Sequence, residues 1–143
     1  RTTQWNYFFF FWLVRSLNSN AINVNVGTVI SQIPNIKFYQ NKAPVKAQTP
    51  YVVFRYDSVL DNSPTYMINL IFACYDDQTK TNIVNNTNAD LIQNKFNKKV
   101  FNFDDSSIHS MMTIRQEIPN DMLVEKQVVE LQFDLVLYER EVI

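Results

Sequence analysis

The stretch Gln127 to Glu139 constrains this chain more than any other. Val129, Leu131, Phe133, Leu135 and Leu137 alternate there with Glu130, Gln132 and Asp134. Successive side chains of a strand point to opposite faces. A period of two held this long therefore predicts a strand with one buried and one polar face. Such a strand needs neighbours on its edges and a layer against its apolar side, so the fold has to be built around a sheet.

The neighbours can be read from the same pattern. Tyr66 to Tyr75 is apolar on both alternating sets, as expected for a central strand covered on both faces. Tyr51 to Asp57 carries Val52, Val53, Phe54 and Tyr56, and a turn with Asp61, Asn62 and Pro64 joins it to Tyr66–Tyr75 as a hairpin. Ser110 to Ile118 also alternates, with Met112, Ile114 and Ile118 on one face and Thr113, Arg115 and Glu117 on the other, before a Pro119-Asn120-Asp121 turn. Shorter extended segments are expected at Ile22 to Val26, where Asn23 and Asn25 interleave with apolar residues, at Ile36 to Tyr39 and at Val100 to Phe103. The expected sheet core is Val53, Ile68, Leu70, Phe72, Leu131, Phe133 and Leu135.

Two helices complete the reading. Residues 3–17 place Trp5, Phe8, Phe9, Trp12 and Leu13 on one helical face. Residues 80–97 follow the N-cap candidates Asp76, Asp77 and Thr79, with Val84, Thr87, Leu91 and Ile92 on one side. The expected class is α+β, in the order α-β-β-α-β-β: an antiparallel sheet of about four strands with two helices packed on one face. No internal repeat or Pro/Gly/Ser linker divides the chain, so one domain over residues 1–143 is expected. The sequence opens on Arg1 rather than Met, so it is expected to begin inside a longer gene product.

The first helix has a second apolar side, formed by Tyr7, Phe10, Phe11 and Val14. A helix apolar all round has to be covered on more than one side, either in the core or by a partner. The loop from Asn41 to Pro50 carries Pro44 and Pro50 and is expected to be extended and stiff. Phe10 and Phe11, with Ala43, Pro44, Val45 and Lys46, are therefore the candidate interface residues. The apolar run from Tyr7 to Val14 is far short of the roughly 20 residues that span a bilayer. Arg15 and Asn18 follow it without a small-residue cleavage pattern, which argues against a signal peptide.

Chemistry is sparse. The chain has one histidine, His109, and one cysteine, Cys74, so neither an intrachain disulfide nor a usual zinc site is expected. Its one glycine, Gly27, excludes a Gly-rich phosphate loop, and turns have to be built from Asn, Asp, Pro and Ser. Ser106, Ser107 and Ser110 flank His109, yet no nucleophile-elbow motif surrounds any serine. Asp76-Asp77 and Asp104-Asp105 read as turn or cap residues rather than ligands of a hard cation. Lys95, Lys98 and Lys99 read as compensation for a helix C-terminus. Thirteen basic against fourteen acidic residues, a formal charge of −1, disfavours a nucleic-acid surface. No enzymatic activity, cofactor or metal is expected.

The arrangement resembles a family. An aromatic first helix is followed by Ala43-Pro44 and Thr49-Pro50-Tyr51-Val52-Val53-Phe54. A hairpin, a helix after Tyr75-Asp76-Asp77 and a last strand at Phe133-Asp134-Leu135-Val136-Leu137-Tyr138-Glu139 complete it. This order is similar to that of phage tail-terminator and tail-completion proteins. The resemblance implies a structural virion protein, assembled in the host cytoplasm. It implies a homo-oligomeric ring, commonly a hexamer, that caps the tail tube protein and receives the head-tail connector protein. Another virion subunit, of head-completion or tube type, and a soluble ligand-binding α+β domain are the rival classes.

Overall fold

A computed structural model describes residues 22–62, 65–118 and 126–139. The chain divides into two compact units, Arg1–Pro34 and Asn35–Ile143. The expected helix over residues 3–17 lies outside the described residues.

In the first unit, residues 22–31 form a helix, α1. The Ile22-Val24-Val26 alternation points to a strand here, and the structure corrects it. That alternation is only the start of a longer period. Ile22, Val26, Val29, Ile30 and Ile33 are buried at helical spacing, whereas Val24 is exposed. Five apolar residues on one helical stripe outweigh three on a strand face.

The second unit is one curled sheet of six strands in the order β1-β2-β3-β6-β5-β4. The strands are β1 (Phe38–Gln40), β2 (Tyr51–Asn62), β3 (Thr65–Asp77), β4 (Lys99–Asn102), β5 (Ser106–Ile118) and β6 (Lys126–Glu139), and α2 (Ile83–Phe96) lies between β3 and β4. The expected four-stranded antiparallel sheet with both helices on one face is therefore wrong. β2, β3, β6 and β5 do form a contiguous antiparallel block, but a short strand extends it at each edge. β4 pairs antiparallel with β5, and β1 pairs parallel with β2, which makes the sheet mixed. Parallel neighbours need a return connection. The Pro-punctuated loop 41–50, which includes a cis Thr49–Pro50 bond, supplies it.

One face of this sheet is the core. Val52, Ile68, Leu70, Phe72, Cys74, Val129, Leu131, Phe133 and Leu135 are all at most 3% exposed, as the alternation requires. Phe72, Phe96 and Phe133 form an aromatic cluster with ring centroids 5.4–5.7 Å apart. Val53 is only half-buried, because it sits opposite Ala73 on the other face.

Helix α2 packs on the core face against β6, β3 and β5. Its buried side is Asn85, Asn88, Ala89, Ile92 and Phe96. Of the expected side, only Ile92 is buried; Val84, Thr87 and Leu91 are exposed. Asparagine is usually a surface residue, so a pattern of apolar residues alone misses this face. Asn85 is held there by hydrogen bonding: its Nδ2 donates to the Cys74 carbonyl at 2.9 Å and to the Gln127 carbonyl at 3.3 Å. Those bonds fix the start of α2 over the β3–β6 pair. Gln127 Nε2 adds bonds to the Asp77 and Lys80 carbonyls at 2.9 and 3.0 Å, which fasten the β3–α2 loop. The N-cap is Asn82, not an Asp or Thr79, and it makes no side-chain capping bond.

Two bulges reset the alternation, one in β2 between Tyr56 and Ser58 and one in β5 between Met112 and Ile114. Met112 lies opposite Phe133 on the core face. After the extra residue Thr113, Ile114 lies opposite Gln132 on the second face and Arg115 opposite Leu131 on the core face. The expected shared face of Met112, Ile114 and Ile118 is thus broken. Arg115 now reaches α2, with Nη1 2.7 Å from Asp90 Oδ1 and 2.6 Å from Gln93 Oε1. Asn97, just past α2, accepts the Met112 N–H at 3.1 Å and satisfies the backbone at the bulge.

Candidate functional site

The second face of the sheet carries the features that can recognise something. It takes the odd positions of β3, the even positions of β6 and the residues aligned with them. At one end a row crosses five strands: Leu60 pairs with Met67, Met67 with Val136, Val136 with His109, and His109 with Val100. Leu60 is 61%, Met67 47% and Val100 53% exposed. Met111 and Tyr138 lie beside the row, also exposed. A groove of about 470 Å³ runs along it, with Lys98 and Lys99 at its rim.

A polar band follows along β6. Asp134 accepts a hydrogen bond from Asn69 Nδ2 at 3.2 Å, and Gln132 Nε2 donates to Glu130 at 2.9 Å. Beyond the band lies an aromatic end. Tyr51 stacks on Tyr75 at 5.2 Å and meets Tyr39 edge-on at 5.8 Å. Lys126 Nζ donates to the Tyr51 hydroxyl at 2.9 Å and sits 5.1 Å from the centre of its ring. Burial, followed by the neighbouring Tyr51, raises the Tyr75 hydroxyl above its ordinary range. A second groove, of about 390 Å³, is lined here by Val53, Arg55, Ile71, Lys126 and Glu130 among others. Arg55 is held by Asp57 at 2.9 Å.

The residues singled out from the sequence scatter rather than converge. His109 sits between β4 and β6, exposed, with its ring edge-on to Tyr138 at 5.1 Å. Ser106 and Ser110 are buried on the opposite face, so these neighbours do not form a relay with it. Cys74 is fully buried, and burial pushes its thiol up to about 12, the state of an unreactive side chain. Asp76 Oδ1 accepts the Asp77 N–H at 2.8 Å. Asp77 Oδ1 accepts the backbone N–H and then the hydroxyl of Thr79, both at 3.0 Å, and these bonds hold its carboxyl below the usual range. Both aspartates thereby build the turn into α2. Among the described residues no three His, Cys, Asp or Glu side chains come close enough to hold a metal ion, and no helix is long and apolar enough to cross a membrane.

Of the candidate interface residues, Phe10 and Phe11 lie outside the described residues. Ala43, Pro44, Val45 and Lys46 sit together on the loop between β1 and β2, where the Ala47 N–H closes a turn onto the Pro44 carbonyl at 2.9 Å. Val45 projects from that turn with 96% of its surface exposed. Sequence reasoning missed the row from Leu60 to Val100, because its members come from five separate strands and only pairing register aligns them.

No family model matches this sequence, and comparison with curated proteins gives no significant match.

Proposed function

We propose that this chain is a non-catalytic assembly subunit, and specifically a homo-oligomeric ring subunit that ends a phage tail tube and joins it to the head connector. The observation that carries the assembly reading is the row Leu60–Met67–Val136–His109–Val100, in which the apolar Leu60, Met67 and Val100 are exposed around His109. Apolar surface crossing most of a sheet is what a monomer avoids and an interface uses. The projecting Val45 on the stiff 41–50 loop adds a second contact at low entropic cost. A head-to-tail ring needs two different patches, and the row and the loop supply them. The tail assignment rests on the sequence resemblance. Its most specific segment, Pro50 to Phe54, leads into β2, and its last segment, Phe133 to Glu139, ends β6.

The test is mass in solution by light scattering, followed by negative-stain images. The reading expects a closed ring, alone or on polymerised tail tube protein. A chain that stays monomeric at high concentration and ignores tail tubes would remove it. Replacing Met67 and Val100 with Ser should weaken assembly while leaving the thermal unfolding midpoint within a few degrees.

A further inference from the structure

The free edge of β5 carries a more specific contact. β4 covers β5 only as far as Ser110, and among the described residues no strand borders residues 113–118 on that side. The direction of the backbone there follows from its neighbours. The Ser106 carbonyl accepts the Phe103 N–H, and the Met112 N–H meets Asn97, so the even residues of this half turn their peptide groups outward. The bulge at Thr113 shifts that series. Arg115 opposite Leu131 and Glu117 opposite Val129 continue the alignment that Met112 had opposite Phe133. Arg115 and Glu117 therefore present outward N–H and C=O groups.

The sequence over this edge is its own complement. Read antiparallel to itself about Gln116, Ile114-Arg115-Gln116-Glu117-Ile118 sets Ile114 against Ile118, Arg115 against Glu117 and Gln116 against Gln116. Ile114, Gln116 and Ile118 share the second face, and Arg115 and Glu117 share the α2 face, so every pair meets on one face. The backbone phase agrees independently. Pairs between Arg115 and Glu117 are the ones whose peptide groups face outward, as hydrogen-bonded pairs of an antiparallel ladder require. Opposite charges and apolar pairs directly across a ladder are favourable. Asp90 and Gln93 already hold the Arg115 side chain on its face, which reduces the ordering needed on contact.

We infer that two copies of this chain pair isologously through residues 114–118 of β5, joining their sheets into one across a two-fold axis at Gln116. The partner is a second copy, because the charge order that makes the edge self-complementary would be accidental for another strand. An isologous contact differs from the head-to-tail contacts of a ring, so the inference does not rest on the tail reading.

Gln116→Cys tests it directly. Residues facing each other in a non-hydrogen-bonded pair have Cα atoms about 4.5 Å apart, inside the span a disulfide accepts. The native Cys74 is buried and does not compete. Mild oxidation should give a covalent dimer of Gln116→Cys and none of Gln78→Cys, an exposed control away from both contact patches. The chain should sediment at an even multiple of its monomer mass. Glu117→Pro removes one outward N–H from each copy without touching the β6 ladder, and should weaken the dimer roughly 30-fold. If Glu117→Pro fails to fold, Gln116→Glu keeps the test, since like charges at the axis should also weaken pairing. A monomer in which Gln116→Cys forms no cross-link overturns the pairing. So does a larger ring without that cross-link, which would leave the assembly reading standing. Cross-linking to a different protein in a mixture, but not between copies, overturns it too.

Discussion

Phe133→Ala is the sharpest test of the core. Phe133 is fully buried, with its ring 5.7 Å from Phe72 and 5.5 Å from Phe96. Truncating a buried Phe generally costs about 3–5 kcal/mol, from lost transfer energy and the cavity left behind. Two aromatic partners lose an edge or tilted contact at once, each worth roughly 0.5–1.5 kcal/mol beyond area, which places the expectation near the upper end, about 4–5 kcal/mol. A domain of this kind holds only about 5–15 kcal/mol in all, so a large part of the stability should go. With a urea slope of about 2 kcal/mol per molar, the midpoint should fall by roughly 2 M with the slope unchanged. Asp134→Ala, next along β6 on the opposite face, is the control and should cost less than about 1 kcal/mol. A loss below about 1 kcal/mol for Phe133→Ala, or equal losses for the pair, would refute the assignment of faces along β6.

Other expectations follow from single contacts. Arg115→Met should destabilise by about 1–2 kcal/mol in urea titrations, because it removes bonds to Asp90 and Gln93 at a half-buried site, whereas Arg55→Met, whose pair with Asp57 is exposed on both sides, should cost under about 0.5 kcal/mol. The Cys74 thiol and the Tyr56 hydroxyl are both pushed up to about 12 by burial. A raised value in the folded state favours folding below the ordinary value, so stability should hold to about pH 9 and fall as pH rises from there toward 12. Chemical denaturation across that range checks the sign, and a thiol-alkylating reagent should label Cys74 at the rate of unfolding rather than at that of a free thiol. Lys98 has a left-handed backbone, with φ of 56°, while Gly27 lies inside α1 with open space around it. Lys98→Gly and Gly27→Ala should each raise the thermal midpoint, by roughly 0.5–1 kcal/mol of stability apiece.

β6 was legible, to within one residue, because its alternation is uninterrupted, and β3 because it is apolar on both alternating sets. The hairpin of β2 and β3 was legible from turn residues between two apolar runs. Three things were not. Helix α1 begins with a false alternation, and the stronger period appears only when Val29, Ile30 and Ile33 are counted. The buried side of α2 contains Asn85 and Asn88, and Asn85 is buried on carbonyl partners that no local pattern announces. The parallel pairing of β1 is a long-range event, set by Phe38, Tyr39 and Gln40 against Val52, Val53 and Phe54 across the whole 41–50 loop. On the candidate site, Val45 and Lys46 are exposed on the loop the sequence marks as extended, whereas the row across the sheet could be assembled only once the register was known.

The bulge at Thr113 makes chain length, rather than residue identity, the controlling variable in the second half of β5. Deleting Thr113 would restore an unbroken alternation and move five consecutive side chains to the opposite face in one step. Ile114 would then turn under α2 and Arg115 would leave Asp90. Any of those five positions tolerates a change of type more readily than the segment tolerates a change of count. A single extra peptide unit therefore acts as a phase element, letting one strand carry an ordinary amphipathic pattern at its start and the inverted pattern at its end.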